Sequence, residues 1–548
     1  MPRRIRRLRC WVRGSLPAIS GHACAGGCPG RVRPGVGDDV TENKGRNRVR
    51  RVGLLAGPCV ALLVAMLLPA TDGAATSGAE LLSSGARITA GLAAWMAIWL
   101  MTEAIPLYAT ALLPLAVLPL AGARTLRETA SPYAHELIFL FMGGFVLALA
   151  MQRWKLDRRI ALSVLQRVGP RPGRVVAGFM GLTALFSMWV SNTATAVMML
   201  PIAVSVIALL GEPAPDASET NRLAPEAPEG AAFASALLLG IAYAASIGGV
   251  GTLIGTPPNL FMASFASQEL GIEIGFARWM AVGLPLVAIF LPITWWLLTR
   301  IAFPIRVRHI PGGEASFRKA ALALGPMQRA EWLTFGVFLC TAMAWMTRPW
   351  LSAIEIGGAR PLVGLSDPGI AIVAALALFI LPAGRDQGAV MNWDTAVQLP
   401  WGLLLLFGGG LSLAAALQAH GIGAFLGEQV RALADVPAWL LVLSVVTGMI
   451  FLTEITSNTA TAATLVPILA GIAPGLGVEP LVLVVPATVA ASCAFMLPVA
   501  TPPNAVVFGS GRVQIGDMLR AGLWLNLIGI GLITGLVYTL VLRILLGG

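Results

Sequence analysis

Two stretches, "SMWVSNTATAVMMLPI" at Ser187–Ile202 and "TEITSNTATAATLVPI" at Thr453–Ile468, set the same small polar string into apolar surroundings, 266 residues apart. The chain around them is 57% hydrophobic and 12% charged, against about 25% charged in a soluble domain. It is therefore built for a bilayer. Runs such as Val52–Ala70, Pro106–Gly122, Ile138–Gln152 and Ile370–Gly384 are long enough, at about 1.5 Å per residue, to cross or nearly cross a hydrocarbon core of about 30 Å. The pattern predicts an all-α polytopic membrane protein, with about eleven transmembrane helices and two further segments that carry the SNT strings.

The repeat extends beyond the strings. At the same offset Phe141, Gly143, Gly144, Ala148, Ala150 and Gln152 match Phe407, Gly409, Gly410, Ala414, Ala416 and Gln418. A second pair follows in the same order, "GTPPN" at Gly255–Asn259 and "ATPPN" at Ala500–Asn504, offset by 245 because the first half carries the extra polar loop Gly211–Gly230. Several elements in one order mark a duplication. The span ending at Gln152 is followed by a basic cluster reaching Arg174, whereas its partner ending at Gln418 meets only Arg431 before the second SNT segment. By the positive-inside rule the two exit on opposite sides, which makes the repeats inverted. The N-terminus and the clusters Gln152–Arg174 and Arg300–Lys319 are then cytoplasmic, and the C-terminus lies outside.

Hydrocarbon offers the backbone no hydrogen bonds, so non-helical chain survives there only when buried or lining a cavity. Ala177–Val190 and Ala194–Leu210 are each read as too short for a comfortable span, and together as a re-entrant hairpin turning at Ser191-Asn192-Thr193. Its counterpart turns at Ser457-Asn458-Thr459. In TPPN two prolines remove backbone donors and break the helix. Freed carbonyls with Ser, Thr and Asn oxygens suit a hard cation such as Na⁺. The helix N-termini beside them suit an anion. Inverted repeats with paired interruptions are the architecture of secondary transporters.

Other features constrain less. The net charge of +11 reads as topology, since no stretch interleaves basic and aromatic residues as a nucleic-acid groove would. Residues 1–51 are arginine-rich, read as a basic tail and are set aside from the fold. Cys59, Cys340 and Cys493 lie in apolar segments and are expected as small buried hydrophobes. Cys24 and Cys28 beside His22 lack a second ligand pair. Glu454 is a carboxyl inside an apolar hairpin, and its repeat partner is Met188. Either structural pairing or a cation role accounts for it. Trp189 and the glycines Gly143-Gly144 and Gly408-Gly409-Gly410 are read as packing residues, and His135 and His420 as residues at span ends. With four scattered histidines and no H-E-x-x-H or G-x-S-x-G in a pocket context, an enzyme is not expected.

The SNT strings with TPPN downstream in both halves, and "LPVATPPNAVVFGSG" at Leu497–Gly511, resemble the divalent anion:sodium symporters, over roughly residues 52–548. Members of that family carry dicarboxylates, citrate or sulfate. The resemblance implies an elevator mechanism and a homodimer in the plasma membrane. It implies a first sodium held by Ser187, Ser191, Asn192 and the carbonyl near Gly255, and a second held by Thr453, Asn458 and the carbonyls of Thr456 and Ala500. The family has alanine where Thr456 stands. Ser191, Asn192, Thr193, Ser457, Asn458, Thr459, Thr501 and Pro502 would meet a dianionic substrate, a C4-dicarboxylate such as succinate by the geometry of two separated strings. Na⁺ is then a co-transported ion, and no organic cofactor is expected. The domains expected are a tail at 1–51, a first helix and loop at 52–86 and a first repeat at 87–310 with its hairpin at 177–210. A connector at 311–330 and a second repeat at 331–548 follow, with the second hairpin at 436–470. A sodium-independent exchanger, a sulfate or citrate carrier and an anion efflux permease remain the alternatives.

Overall fold

The computed structural model describes residues 36–69, 82–211, 228–307, 309–310, 313–356, 359–384 and 387–545. The Cys24, Cys28 and His22 group and most of the Gly211–Gly230 loop lie outside them. Contacts divide the chain into Met1–Arg48 and Val49–Gly548, and the candidate site lies wholly in the second unit.

The described residues are helical in sequence order. The first half runs through α1 (Val36–Leu67), α2 (Ser84–Thr102), α3 (Leu107–Thr110), α4 (Leu113–Leu120), α5 (Leu126–Ala130) and α6 (Glu136–Arg153). It continues with α7 (Leu156–Val168), α8 (Pro172–Ser187), α9 (Asn192–Gly211), α10 (Pro228–Gly249), α11 (Pro257–Leu270) and α12 (Phe276–Trp296). A short α13 (Gly313–Leu322) leads to the second half, α14 (Arg329–Leu351), α15 (Asp367–Ile380), α16 (Trp393–Ala396), α17 (Trp401–Ala419) and α18 (Ile422–Val430). Then come α19 (Ala438–Thr453), α20 (Asn458–Ile472), α21 (Pro480–Ala491), α22 (Pro502–Phe508) and α23 (Ile515–Leu536).

Three features of the helices bear on these expectations. First, α1 begins at Val36, inside the 1–51 stretch set aside as tail, because no proline interrupts it before Pro58. Second, among the described residues seven helical stretches are long and apolar enough to cross a membrane, or eight if the pair Ile422–Leu433 and Ala438–Thr453, bent by 116°, is one span. Apolar runs counted as spans break up: Pro106–Gly122 becomes α3 and α4, and Ile370–Gly384 stops at Ile380. Third, Asn192–Leu210 is itself one of the seven, so the second arm of the first hairpin is not too short to span. What marks it as an arm is the four-residue break before it, between Ser187 and Asn192.

Interruptions fall where the sequence supplies caps or prolines. Ser83 accepts from Ala86 N–H at the start of α2, and Ser366 from Gly369 N–H at the start of α15. Each TPPN places its two prolines in the first turn of the second helical piece, after Thr256 and Thr501 in extended conformation, where a missing N–H costs nothing. The junction between the halves is tied by Arg159, whose Nε donates to Glu331 Oε1 at 2.6 Å. Arg348 and Asp367 pair at 2.8 Å between α14 and α15.

The matched glycines mediate close helix contact. A Cβ on Gly143 would sit 2.7 Å from the Ala371 backbone, and one on Gly409 would overlap the backbone of Ala111. Small residues let membrane helices approach. Of the three cysteines in apolar segments, Cys493 is buried, but Cys59 and Cys340 are exposed. They sit on faces that no other part of the described chain covers, where a bilayer makes burial within the protein unnecessary. Gly409→Val should push α17 off Ala111 at an overpacking cost of ~1–3 kcal/mol. The purified variant should melt several degrees below wild type in a detergent thermal-shift assay, and an unchanged melting point would contradict the close contact.

Candidate transport site

The two SNT strings sit at equivalent breaks. α8 ends at Ser187 and α9 begins at Asn192; α19 ends at Thr453 and α20 begins at Asn458. In each half the last hydroxyl of the first arm reaches the first asparagine of the second. Ser187 Oγ lies 2.5 Å from Asn192 Oδ1 and 2.6 Å from the Ala245 carbonyl. Thr453 Oγ1 lies 2.7 Å from Asn458 Oδ1 and 2.9 Å from the Ala491 carbonyl. Both hydroxyls are fully buried.

One hydroxyl carries one proton, yet each faces two acceptor oxygens. In the first half the crowding is greater, because the same amide position of Asn192 is also 3.2 Å from both the Ala245 and the Gly255 carbonyls. Turning the amide over would satisfy those carbonyls with its NH₂. A small hard cation among the oxygens would satisfy all of them at once. Gly249 makes room, since a Cβ there would come within 2.8 Å of the Asn192 amide.

Each long helix next to a hairpin is broken, which leaves the Gly255 and Ala491 carbonyls outside the helical ladder. α10 stops at Gly249 and α11 begins at Pro257; α21 stops at Ala491 and α22 begins at Pro502. The TPPN asparagines hold the breaks in shape. Asn259 Nδ2 donates to the Gly249 carbonyl at 3.2 Å and to the Thr252 carbonyl at 2.8 Å. Asn504 Nδ2 makes the equivalent bonds to Ala494 at 3.3 Å and Leu497 at 3.0 Å. Both asparagines are fully buried, where an unpaired amide would be costly. The breaks approach each other at Thr256 Oγ1 and Ser492 Oγ, 3.4 Å apart. α22 packs against α9, and α11 against α20, so each half's broken helix supports the other half's hairpin.

This arrangement can be compared with known proteins. Residues 50–545 match the family model described as the sodium:sulfate symporter transmembrane region. The chain belongs to this family. It is 40% identical over 510 residues to the sodium-dependent dicarboxylate transporter SdcS of Staphylococcus saprophyticus, covering 91% of this chain and 93% of that protein. Its identity to SdcS of Staphylococcus aureus is also 40%, over 90% and 92% of the two chains. Among solved structures it shares its fold with the Alcanivorax borkumensis YdaH transporter (TM-score 0.52, 14% identity, 90% of this chain and 97% of that one). The Neisseria gonorrhoeae efflux pump MtrF gives a TM-score of 0.55 at 13% identity, over 91% and 96% of the chains. The protein is therefore a multi-pass membrane transporter and not an enzyme, as its resemblance to the divalent anion:sodium symporters implied.

Among the residues assigned from that symporter pattern, the fold brings Ser187, Asn192 and Gly255 together, and Thr453 with Asn458. Ser191 caps α9, accepting from Ala194 N–H at 3.3 Å. Thr193 and Pro502 are exposed, whereas Thr459 and Thr501 are buried. The Thr453 hydroxyl also meets the Ala491 carbonyl. The carbonyls of Ala245 and Ala491, which the two hydroxyls meet, were not among the expected contacts. A signal existed, because both sit in an Ala-Ala-Ser string, at 244–246 and 490–492, but an alanine offers only a carbonyl, which no side-chain pattern reports. Trp189 packs as expected, with its ring centroid 5.7 Å from Phe276 and 6.3 Å from Trp345.

Glu454 is structurally paired. Its Oε1 accepts from Phe495 N–H at 2.7 Å and Met496 N–H at 2.9 Å, and its Oε2 from Leu497 N–H at 3.1 Å. Asn526 Nδ2 on α23 donates to Oε1 at 2.8 Å. The carboxylate thus caps consecutive N–H groups of the second break. At the matching place in the first half, Thr252 Oγ1 donates to the Met188 carbonyl at 2.5 Å. Glu454→Ala should leave those N–H groups buried without partners, at about 1–3 kcal/mol each. The variant should show a large fall in melting temperature, with Glu454→Gln intermediate; an alanine variant as stable as wild type would show that the carboxylate is not needed there.

Proposed function

We propose that this transporter couples inward movement of Na⁺ to uptake of a divalent anion, most simply a C4-dicarboxylate such as succinate. The observation that carries the proposal is the duplicated oxygen cluster: in each half one buried hydroxyl, one asparagine amide and one backbone carbonyl converge. Such a set favours a hard monovalent cation over a soft one. Two clusters suit at least two sodium ions. SdcS relatives at 40% identity bear the name of sodium-dependent dicarboxylate transporters, which supports both cation and substrate.

The anion would lie beside the N-termini of α9 and α20, where the helix dipole favours negative charge, with Thr501 and Pro502 at the start of α22 next to it. Ser191, Asn192, Thr193, Ser457, Asn458, Thr459, Thr501 and Pro502 would line its position. Neither SNT string holds Lys or Arg, so the charge of a dianion would be balanced by the co-bound cations, and loss of sodium would release it. We assign the inverted arrangement of the repeats to 87–310 and 331–548, with the N-terminus cytoplasmic and the C-terminus outside in a plasma membrane, from the basic clusters. Elevator movement in a homodimer completes the reading, on family resemblance.

Uptake of labelled succinate into proteoliposomes, with and without an inward sodium gradient, tests this directly. Gradient-driven accumulation is expected. Uptake that ignores sodium and requires internal counter-substrate would replace symport by exchange. Asn192→Ala and Asn458→Ala should each abolish uptake while the protein remains folded, and wild-type uptake by either at limiting sodium would refute the site assignment. If more than two Na⁺ accompany each dianion, net positive charge enters. Each such charge gains about 2.3 kcal/mol per 100 mV, roughly fifty-fold in accumulation at about 1.4 kcal/mol per tenfold. An inside-negative potential imposed with potassium and valinomycin should therefore speed uptake.

A further inference from the structure

The two hairpin tips are alike in sequence but not equally tied. Four residues separate the arms in each, 188–191 and 454–457, and in each tip the last residue of the first arm bonds the first asparagine of the second. Only the second tip carries another cross-link among the described residues. Thr456 Oγ1 lies 2.7 Å from the Leu452 carbonyl in the last turn of α19 and 2.6 Å from Thr461 Oγ1 in the first turn of α20. Proton counting fixes the directions: Thr456 donates its one proton to the Leu452 carbonyl, so Thr461 donates to Thr456. Thr461 is 1% exposed, so water does not compete for the bond.

The first hairpin supplies an internal control. The residue matching Thr456 is Val190, nearly the same shape without the hydroxyl, and the residue matching Thr461 is Thr195. Thr195 is also 1% exposed, and its hydroxyl finds no partner. There the Phe186 carbonyl is taken by two backbone groups, Trp189 N–H at 2.9 Å and Val190 N–H at 2.8 Å. In the second tip the equivalent Leu452 carbonyl takes Ile455 N–H at 3.2 Å together with the Thr456 hydroxyl.

We infer that the Thr456 hydroxyl is a positioning residue, bridging the two arms of the second hairpin so that Thr453 and Asn458 are held together before a cation arrives. The inference rests on the sodium-coupled reading and adds to it that the second cation site is pre-assembled, whereas the first must be ordered by the cation it binds. Ordering a site on binding lowers apparent affinity by the fraction of time the site is formed, and pre-organisation removes that cost.

The test uses the full chain in proteoliposomes and measures the sodium concentration for half-maximal succinate uptake. Thr456→Val should raise it roughly two- to tenfold, the worth of one hydrogen bond, while Thr456→Ser restores it and the succinate requirement at saturating sodium does not move. Val190→Thr gives Thr195 its missing partner and should lower the sodium requirement. Thr453→Ala serves as the reference, since it removes a cation oxygen itself. A shift with Thr453→Ala but none with Thr456→Val overturns the inference and leaves the sodium site standing. No shift with either overturns the sodium site. Should Thr456→Val fold poorly, Val190→Thr decides, and an unchanged sodium requirement in that variant overturns the inference.

Discussion

A backbone group without a partner is costly for a membrane protein to bury, and this chain breaks two helices beside its hairpins. Everything near the site follows from how those breaks are satisfied. Asn259 and Asn504, fully buried, take carbonyls on either side of each break. Trp279 Nε1 donates to the Val250 carbonyl at 2.9 Å, and Glu454 takes three N–H groups of the second break. The carbonyls of Gly255 and Ala491 at the breaks, and that of Ala245 in the last turns of α10, face the SNT asparagines and hydroxyls.

Duplication made the two halves alike, and later substitution made them differ in how they meet the same need. At the residue after the first arm, Met188 offers only its carbonyl to Thr252, whereas Glu454 offers a carboxylate to consecutive N–H groups. The second break is correspondingly longer, Ser492–Thr501 against Val250–Thr256. A longer unwound segment exposes more N–H groups, and a carboxylate with two oxygens can hold what one carbonyl cannot. The exposure of the tips differs too: Trp189 is stacked among Phe276, Phe338 and Trp345, while its partner Ile455 is 71% exposed.

Much of the architecture was legible in the sequence. Apolar runs, the ordered repeat and the doubled proline motifs gave the helical membrane class, the hairpin positions to within a few residues and the side chains of both oxygen clusters. Which apolar runs continue as single long helices was not legible. Hydropathy measures what a segment can cross, not whether it continues as one helix, and the prolines in Pro106–Gly122 and the stop at Ile380 shortened runs that looked whole. Nor could hydropathy tell that Cys59 and Cys340 face outward, because in a bilayer both faces of a helix can be apolar.

Sequence alone determined which side chains could ligate: Ser187, Asn192, Thr453 and Asn458 are marked because a polar string repeated in an apolar chain has no cheaper explanation. Only the tertiary structure decided which backbone oxygens join them. Carbonyls are present at every residue and carry no sequence signature, so the meeting of Ser187 with the Ala245 carbonyl and of Thr453 with the Ala491 carbonyl depends on where the helices run and which neighbour packs against them. The pairing of Glu454 with N–H groups 41 to 43 residues away, and of Thr456 with Thr461 across the tip, was settled in the same way. Hydrogen bonds are fixed to within tenths of an ångström by packing, and packing is a property of the folded chain as a whole.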